Sequence, residues 1–176
     1  MAQALAENGA KVTLLEGPVE QHLKIKGIKV IKFFFYEDLL FQIKRELKKK
    51  YHLVIHAAAV SDYRLKKPFK RKIDSHLPSL KLVLVQTPKI INLVKRISPE
   101  SLLIGFKQES ELTPGLAKLK TKKLFRKAHC DFVIANRVNK SKYEGYVLDR
   151  KLNILDHVYD RQQLAQSLIR ILKGVI

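Results

Sequence analysis

The sequence predicts a mostly parallel α/β sandwich of three layers with an antiparallel hairpin at the margin of its sheet. Two observations carry this. Short apolar runs rich in β-branched residues alternate with longer segments of helical period, giving roughly six strands and five helices, the pattern of helices laid on both faces of one sheet. Several runs also end in small or polar residues, most clearly YHLVIHAAAVSDY (51–63), where Leu53, Val54 and Ile55 suit a buried strand and Ala57, Ala58 and Ala59 leave almost no bulk beyond it. In a doubly wound sheet, ligands sit beyond the carboxyl ends of the strands.

In chain order, residues 1–8 read as a helix with Gly9 as its left-handed cap, and Lys11 to Leu15 as a strand stopped by Glu16-Gly17-Pro18. An opening helix with no strand before it is half of a βαβ unit, so the chain is expected to start inside such a unit. Gly27 to Phe33 is the next strand. A helix from Glu37 to Lys50 follows, with Leu40, Ile43 and Leu47 on one stripe and lysines complementing the dipole at its end.

After the alanine-ended strand, Arg64 to Ser79 is basic and aperiodic and reads as an extended loop. Leu80 to Val85 makes another strand. Thr87-Pro88 then places a capping hydroxyl and a first-turn proline before a helix through Ile90, Leu93, Val94 and Ile97, whose start is an anion seat. Leu102 to Phe106 is a strand, and Thr113-Pro114 repeats the cap-and-proline start for a lysine-rich helix to Ala128. Asp131 to Ala135 is a strand ending at Asn136. Residues 145–155 form a hairpin around Asp149-Arg150-Lys151, and Asp160 with Gln163 starts the last helix.

Composition narrows the function. At 176 residues the chain is one domain by length, and no window reaches the roughly 18 uninterrupted apolar residues of a membrane span. The single cysteine, Cys130, suits a reducing, cytoplasmic setting. Lys and Arg number 35 against 16 Asp and Glu, a net charge of +19, which attracts polyanions. No RNP strand, GXXG loop, recognition helix or zinc-ligand spacing accompanies that charge, so specific nucleic-acid binding is not expected, although a basic nucleic-acid-binding domain is the alternative. Walker A, G-x-G-x-x-G, G-x-S-x-G and H-E-x-x-H patterns are missing, and no residue stands out as a metal ligand. What remains is a set of strand-end and helix-start positions: Ala58, Ala59, Asp62, Lys72, Thr87, Pro88, Phe106, Lys123, Lys127 and Asn136. Lysines beside helix starts suit a polyphosphate, whose chemistry needs positioning and charge neutralisation.

Five strings in order, IHAAAVSDY (55–63), KID (72–74), LKLVLVQTPKIINLV (80–94), LLIGFKQES (102–110) and CDFVIANRV (130–138), resemble the phosphopantothenate–cysteine ligase family of coenzyme A synthesis, closest to its stand-alone bacterial form. The resemblance implies a Rossmann-like fold, a homodimer, and use of CTP with Mg²⁺ to join 4′-phosphopantothenate to L-cysteine through an acyl cytidylate. It implies that Ala58 and Ala59 give close backbone approach to the nucleotide, with Asp62 as a polar contact. Lys72 resembles the family's catalytic lysine. Thr87, Pro88, Lys89 and Ile90 resemble the loop that cradles CTP, where many relatives have Asn-Pro-Asp-Ile. Phe106 resembles an aromatic packed by the nucleotide. Lys123 and Lys127 resemble two lysines of the following helix, Lys127 with a one-residue shift, and Asn136 a substrate-side group.

The chain departs from the pattern in two places. Arg137 stands where relatives often have Asp. The family's opening strand and its S-N-x-S-S-G-K-M-G-like segment have no counterpart, so residues 1–176 read as a domain incomplete at its N-terminus and are expected to ligate poorly alone. An inactive remnant that binds nucleotide without turnover is the further alternative.

Overall fold

The computed structural model describes residues 1–19, 26–69, 71–140 and 142–175. Its central sheet has five strands in the order β3-β6-β7-β8-β9: β3 (Leu53–His56), β6 (Leu102–Gln108), β7 (Phe132–Asn139), β8 (Lys142–Asp149) and β9 (Ile154–Val158). The pairs β3–β6 and β6–β7 are parallel, while β7–β8 and β8–β9 are antiparallel. The expected marginal hairpin is therefore present and contributes two strands to this sheet. Two smaller sheets stand apart: a parallel pair of β1 (Thr13–Glu16) and β2 (Lys29–Lys32), and an antiparallel ribbon of β4 (Tyr63–Leu65) and β5 (Leu84–Gln86).

Helices cover both faces of the sheet, as the alternation requires. On one face, α2 (Tyr36–Leu47), α3 (Ile91–Ile97) and α4 (Pro114–Ala128) bury Leu39, Ile43, Leu47, Ile91, Val94 and Ala128 against Leu103 and Val133. On the other, α1 (Ala2–Glu7) and α5 (Arg161–Lys173) bring Met1, Leu5, Leu164, Leu168 and Leu172 against Ile104, Ile134 and Val147. The alternation of Leu103 with Ile104, and of Val133 with Ile134, assigns successive side chains to opposite layers. Gly105 permits the tightest contact: a Cβ there would lie 2.9 Å from Cys130 Sγ and 3.2 Å from Ile91 Cδ1.

Helix ends follow the sequence in two cases. Thr113 Oγ1 accepts from Leu116 N at 3.2 Å to cap α4, and Asp160 Oδ1 accepts from Gln163 N at 2.7 Å to cap α5. His129 ends α4 in the left-handed region, φ 56°.

Three expectations are corrected. The Leu80–Val85 run does not join the main sheet: only Leu84–Gln86 is strand, paired with β4, and Leu80, Leu82, Val83 and Leu84 are exposed. The loop expected from Arg64 accordingly begins as the other half of this ribbon. Thr87 does not cap a helix, because α3 starts at Ile91 with Ile90 at the cap position and no side-chain cap. The seven-residue α3 thus begins beyond the Thr-Pro pair that was to make its anion seat.

Because β1 shares no ladder with the main sheet, side chains join them. Glu46 on α2 is buried, and its carboxylate accepts from Lys49 Nζ at 2.8 Å and Tyr51 Oη at 2.8 Å; Lys29 Nζ on β2 lies at 3.4 Å. Tyr51 Oη also lies 2.9 Å from Thr13 Oγ1 on β1. Burial opposes ionisation of Glu46, but the hydrogen bonds from Lys49 and Tyr51 and the nearby lysine charges prevail, holding its pKa at about 2.

Candidate functional site

The parallel strands β3, β6 and β7 all end at one rim. The chain leaves β3 at His56 and passes through Ala57, Ala58 and Ala59, all exposed, to Asp62. Asp62 is tied down twice: its carbonyl accepts from Thr87 N at 2.8 Å, and its carboxylate forms an ion pair with Lys89. Pro88 is anchored in turn, since Tyr36 Oη donates to its carbonyl at 2.9 Å. These bonds explain why the Thr87-Pro88 turn stands out from α3 instead of opening it.

The rim is cationic. The hydrogen bond from Lys89, then the charges of Lys89, Lys107 and Lys123, hold the Asp62 carboxyl below its usual range. Lys107 follows Gly105 by two residues on β6, so its side chain leaves on the α3–α4 face. Thr87 is 3% exposed, and its Oγ1 has no hydrogen-bond partner among the described residues. A buried hydroxyl without a partner costs free energy unless a ligand or water completes it. His56 Nε2 is likewise buried without a partner among the described residues, and burial lowers that imidazole's pKa.

Of the residues expected at the site, the structure therefore joins Ala58, Ala59, Asp62, Thr87, Pro88 and Lys89 through one continuous loop pair, with Lys123 near enough to act on Asp62. Ile90 is buried in the core immediately beneath. Phe106 and Asn136 lie at the same rim on the opposite face: Phe106 packs against the α1–α5 core, and Asn136, 6% exposed, follows Ile134 by two on β7. Lys127 is exposed one turn beyond Lys123 and makes no ion pair with a described residue. Lys72 is exposed on the stretch leading to β5 and makes no hydrogen bond or ion pair with a described residue. Lys107 and Tyr36 were not anticipated. Strand alternation from Gly105 pointed to Lys107; nothing local to Tyr36 signals its bond to a residue 52 positions away.

Fold and rim together define a doubly wound α/β domain whose carboxyl-end loops bring together cations and a buried hydroxyl without a partner among the described residues. The chain belongs to the DNA/pantothenate metabolism flavoprotein C-terminal domain family, which matches residues 1–173. It is 38% identical over 147 residues to the coenzyme A biosynthesis bifunctional protein CoaBC of Thermococcus kodakarensis, covering 77% of this chain and 34% of that protein. With the corresponding protein of Borreliella burgdorferi the identity is 28%, over 98% of this chain and 44% of the relative. The chain thus spans less than half the length of these relatives. The crystal structure of the DNA/pantothenate metabolism flavoprotein from Streptococcus pneumoniae superposes with a TM-score of 0.85 at 24% identity, over 98% of this chain and 85% of that one, and shares its fold.

Proposed function

We propose that this chain is a ligase domain of coenzyme A biosynthesis that joins 4′-phosphopantothenate to L-cysteine with CTP as the activating nucleotide, acting in the cytoplasm as a homodimer. The observation that carries the reading is the rim itself, in a chain of this family. Three lysines, Lys89, Lys107 and Lys123, act on one carboxylate beside a buried hydroxyl that lacks a partner. That set suits a nucleoside triphosphate: cations for the phosphates, Thr87 and Asp62 for neutral polar groups, and the open backbone at Ala58 and Ala59 for close approach.

In the proposed reaction the carboxylate of 4′-phosphopantothenate attacks the α-phosphorus of CTP. An acyl cytidylate forms and pyrophosphate leaves. The amine of cysteine then attacks the acyl carbon, CMP departs, and the amine proton passes to solvent. Both steps bring anions together, so the protein's task is positioning and charge neutralisation. Lys72 is assigned to the charge developing at the α-phosphate, carried there by its exposed stretch. Lys123 and Lys127 flank the phosphate tail, Phe106 packs by the nucleotide, and Asn136 faces the second substrate. Among the described residues no group of three acidic, histidine or cysteine side chains could cage a metal. Mg²⁺ would accompany the nucleotide and neutralise phosphate charge, with the carboxylates of Asp62 and Glu109, now paired with Lys89 and Lys107, the rim groups that would hold it.

The dimer proposal rests on the β4–β5 ribbon. Tyr63, Leu82, Val83 and Leu84 are exposed there, and an apolar two-stranded ribbon with open edges is a surface for a second copy.

Calorimetry with CTP and magnesium, followed by pyrophosphate release with both other substrates, tests the reading. Binding of CTP is expected, with a turnover that is low in residues 1–176 alone and that Lys72→Gln abolishes while CTP binding is retained. No heat with CTP would overturn it.

A further inference from the structure

The net charge of +19 exceeds what the rim uses, and α4 holds much of the surplus. Lys118, Lys120, Lys122, Lys123, Arg126 and Lys127 are all exposed on it, and the helix contains no acidic residue. Successive residues turn by about 100°, which divides these cations into groups. Lys120 and Lys123 lie toward the rim, where the first pairs with Glu109 and the second acts on Asp62. Lys118, Lys122 and Arg126 recur every fourth residue and form a separate row about 12 Å long. None of the three has an ion pair with a described residue. Phe125, between that row and the sheet, packs on the cluster of Tyr146 and Leu148 with Ile154 beside it, so the row borders the β8–β9 side of the fold.

That side carries a stack of rings. Tyr146 and His157, opposite each other on β8 and β9, have centroids 4.1 Å and planes 20° apart, and Tyr159 follows with its centroid 4.5 Å from His157 at 46°. Hydrogen bonds fix the middle ring. His157 Nε2 lies 2.9 Å from Glu144 Oε1, and the other oxygen of Glu144 accepts from Arg137 Nε at 2.8 Å, which also balances its charge. A carboxylate only accepts, so the neutral imidazole carries its proton on Nε2, and Nδ1 accepts from Tyr159 Oη at 3.2 Å. Tyr146 is buried at the inner end of the stack; Tyr159, at the outer end, is 61% exposed.

A row of free cations beside an exposed ring held in a fixed orientation supplies the two things a single strand of nucleic acid needs, charge for its phosphodiesters and a flat face for a base. We propose that the row of Lys118, Lys122 and Arg126, with Tyr159, binds single-stranded nucleic acid without sequence preference. The row follows the backbone, and a base stacks on Tyr159. No group that reads base edges is required. The cations recur about every 6 Å along α4, so they meet successive phosphates, whereas a phosphorylated small molecule would reach only one end of the row. A duplex hides the faces of its bases and a bilayer has none to offer, so the ring selects the single strand among polyanions. The surface is separate from the rim, and the proposal holds whatever the rim binds.

The test is fluorescence anisotropy of a labelled oligouridylate of about 12 nucleotides with the full chain, between about 50 and 200 mM salt. Salt-sensitive binding is expected. Replacing Lys118, Lys122 and Arg126 together with Gln should weaken it about tenfold or more and reduce the slope of log affinity against log salt by about two, three phosphates at roughly 0.7 each. Tyr159→Ala should cost about tenfold with the oligonucleotide and little with a duplex, and Tyr159→Phe should bind as the parent does. Replacing Lys44, Lys48 and Lys50 of the α2 region with Gln removes the same charge elsewhere and should change affinity by less than about twofold. All of these side chains are exposed, and each variant is matched to the parent by circular dichroism before binding is compared. Equal losses from the two triple variants would report diffuse attraction and overturn the proposal. Unchanged affinity in Tyr159→Ala overturns it, as does displacement of the oligonucleotide by stoichiometric CTP, which would put the strand at the rim. Binding to vesicles of anionic phospholipid, lost in the α4 triple variant, with none to the oligonucleotide, overturns it in favour of a membrane surface.

Discussion

Two residues show how environment decides what a polar side chain does. Glu46 is buried yet ionised, because Lys49, Tyr51 and Lys29 converge on it. Its pKa is lowered to about 2, so its contribution to stability is complete above the ordinary carboxylate range and is lost as pH falls toward 2. Glu46→Gln is expected to destabilise the chain by about 1–3 kcal/mol at neutral pH, and to flatten the acid limb of a urea-unfolding series run between pH 5 and pH 2.5. Thr87 is the opposite case, a buried hydroxyl with no partner among the described residues. Thr87→Val keeps its shape and should leave unliganded stability unchanged or slightly higher. If CTP completes that hydroxyl, its affinity falls by about tenfold, one hydrogen bond's worth, in titration calorimetry. Lys123→Ala, with no packing role, should weaken CTP by a similar factor of about ten and reduce the salt dependence of binding.

Among the elements, identical local signals lead to different outcomes. Thr113-Pro114 and Thr87-Pro88 read alike in sequence, yet only the first caps a helix. The second is held off α3 by bonds to Asp62 and Tyr36, contacts that no local pattern encodes. Thr113→Ala should therefore cost about 1 kcal/mol, measured by thermal melting, with a much smaller loss of secondary structure expected from a change at Thr87. The hairpin near residue 150 and the start of α5 were legible because turn and cap chemistry is local. The place of Leu84–Gln86 was not, because an apolar run reports burial or pairing without naming its partner. The site divided in the same way. Ala58, Ala59 and Asp62 follow from a strand end, whereas strand alternation puts Lys107 on the face of Gly105 but which face that is emerges once Gly105 is seen packed on Cys130 and Ile91. That contact also predicts that Gly105→Ala destabilises by about 1–3 kcal/mol through overpacking.

Across the whole molecule, the exposed ribbon and the segregated strand pair set its behaviour in solution. If the ribbon carries the proposed dimer, replacing Leu82, just ahead of β5, and Leu84 with Glu should convert it to monomers in sedimentation velocity, with far-ultraviolet circular dichroism unchanged, since neither side chain is buried in the core. The separation of β1 and β2 from the main sheet has a thermodynamic consequence. Without a shared ladder among the described residues, cooperativity between the two parts rests on side chains alone, the packing of Leu15 and Phe33 on the α2 core and the carboxylate of Glu46. Heating should loosen the amino-terminal third first, so that the van't Hoff enthalpy falls below the calorimetric enthalpy, and joining the two parts should restore a single sharp melt.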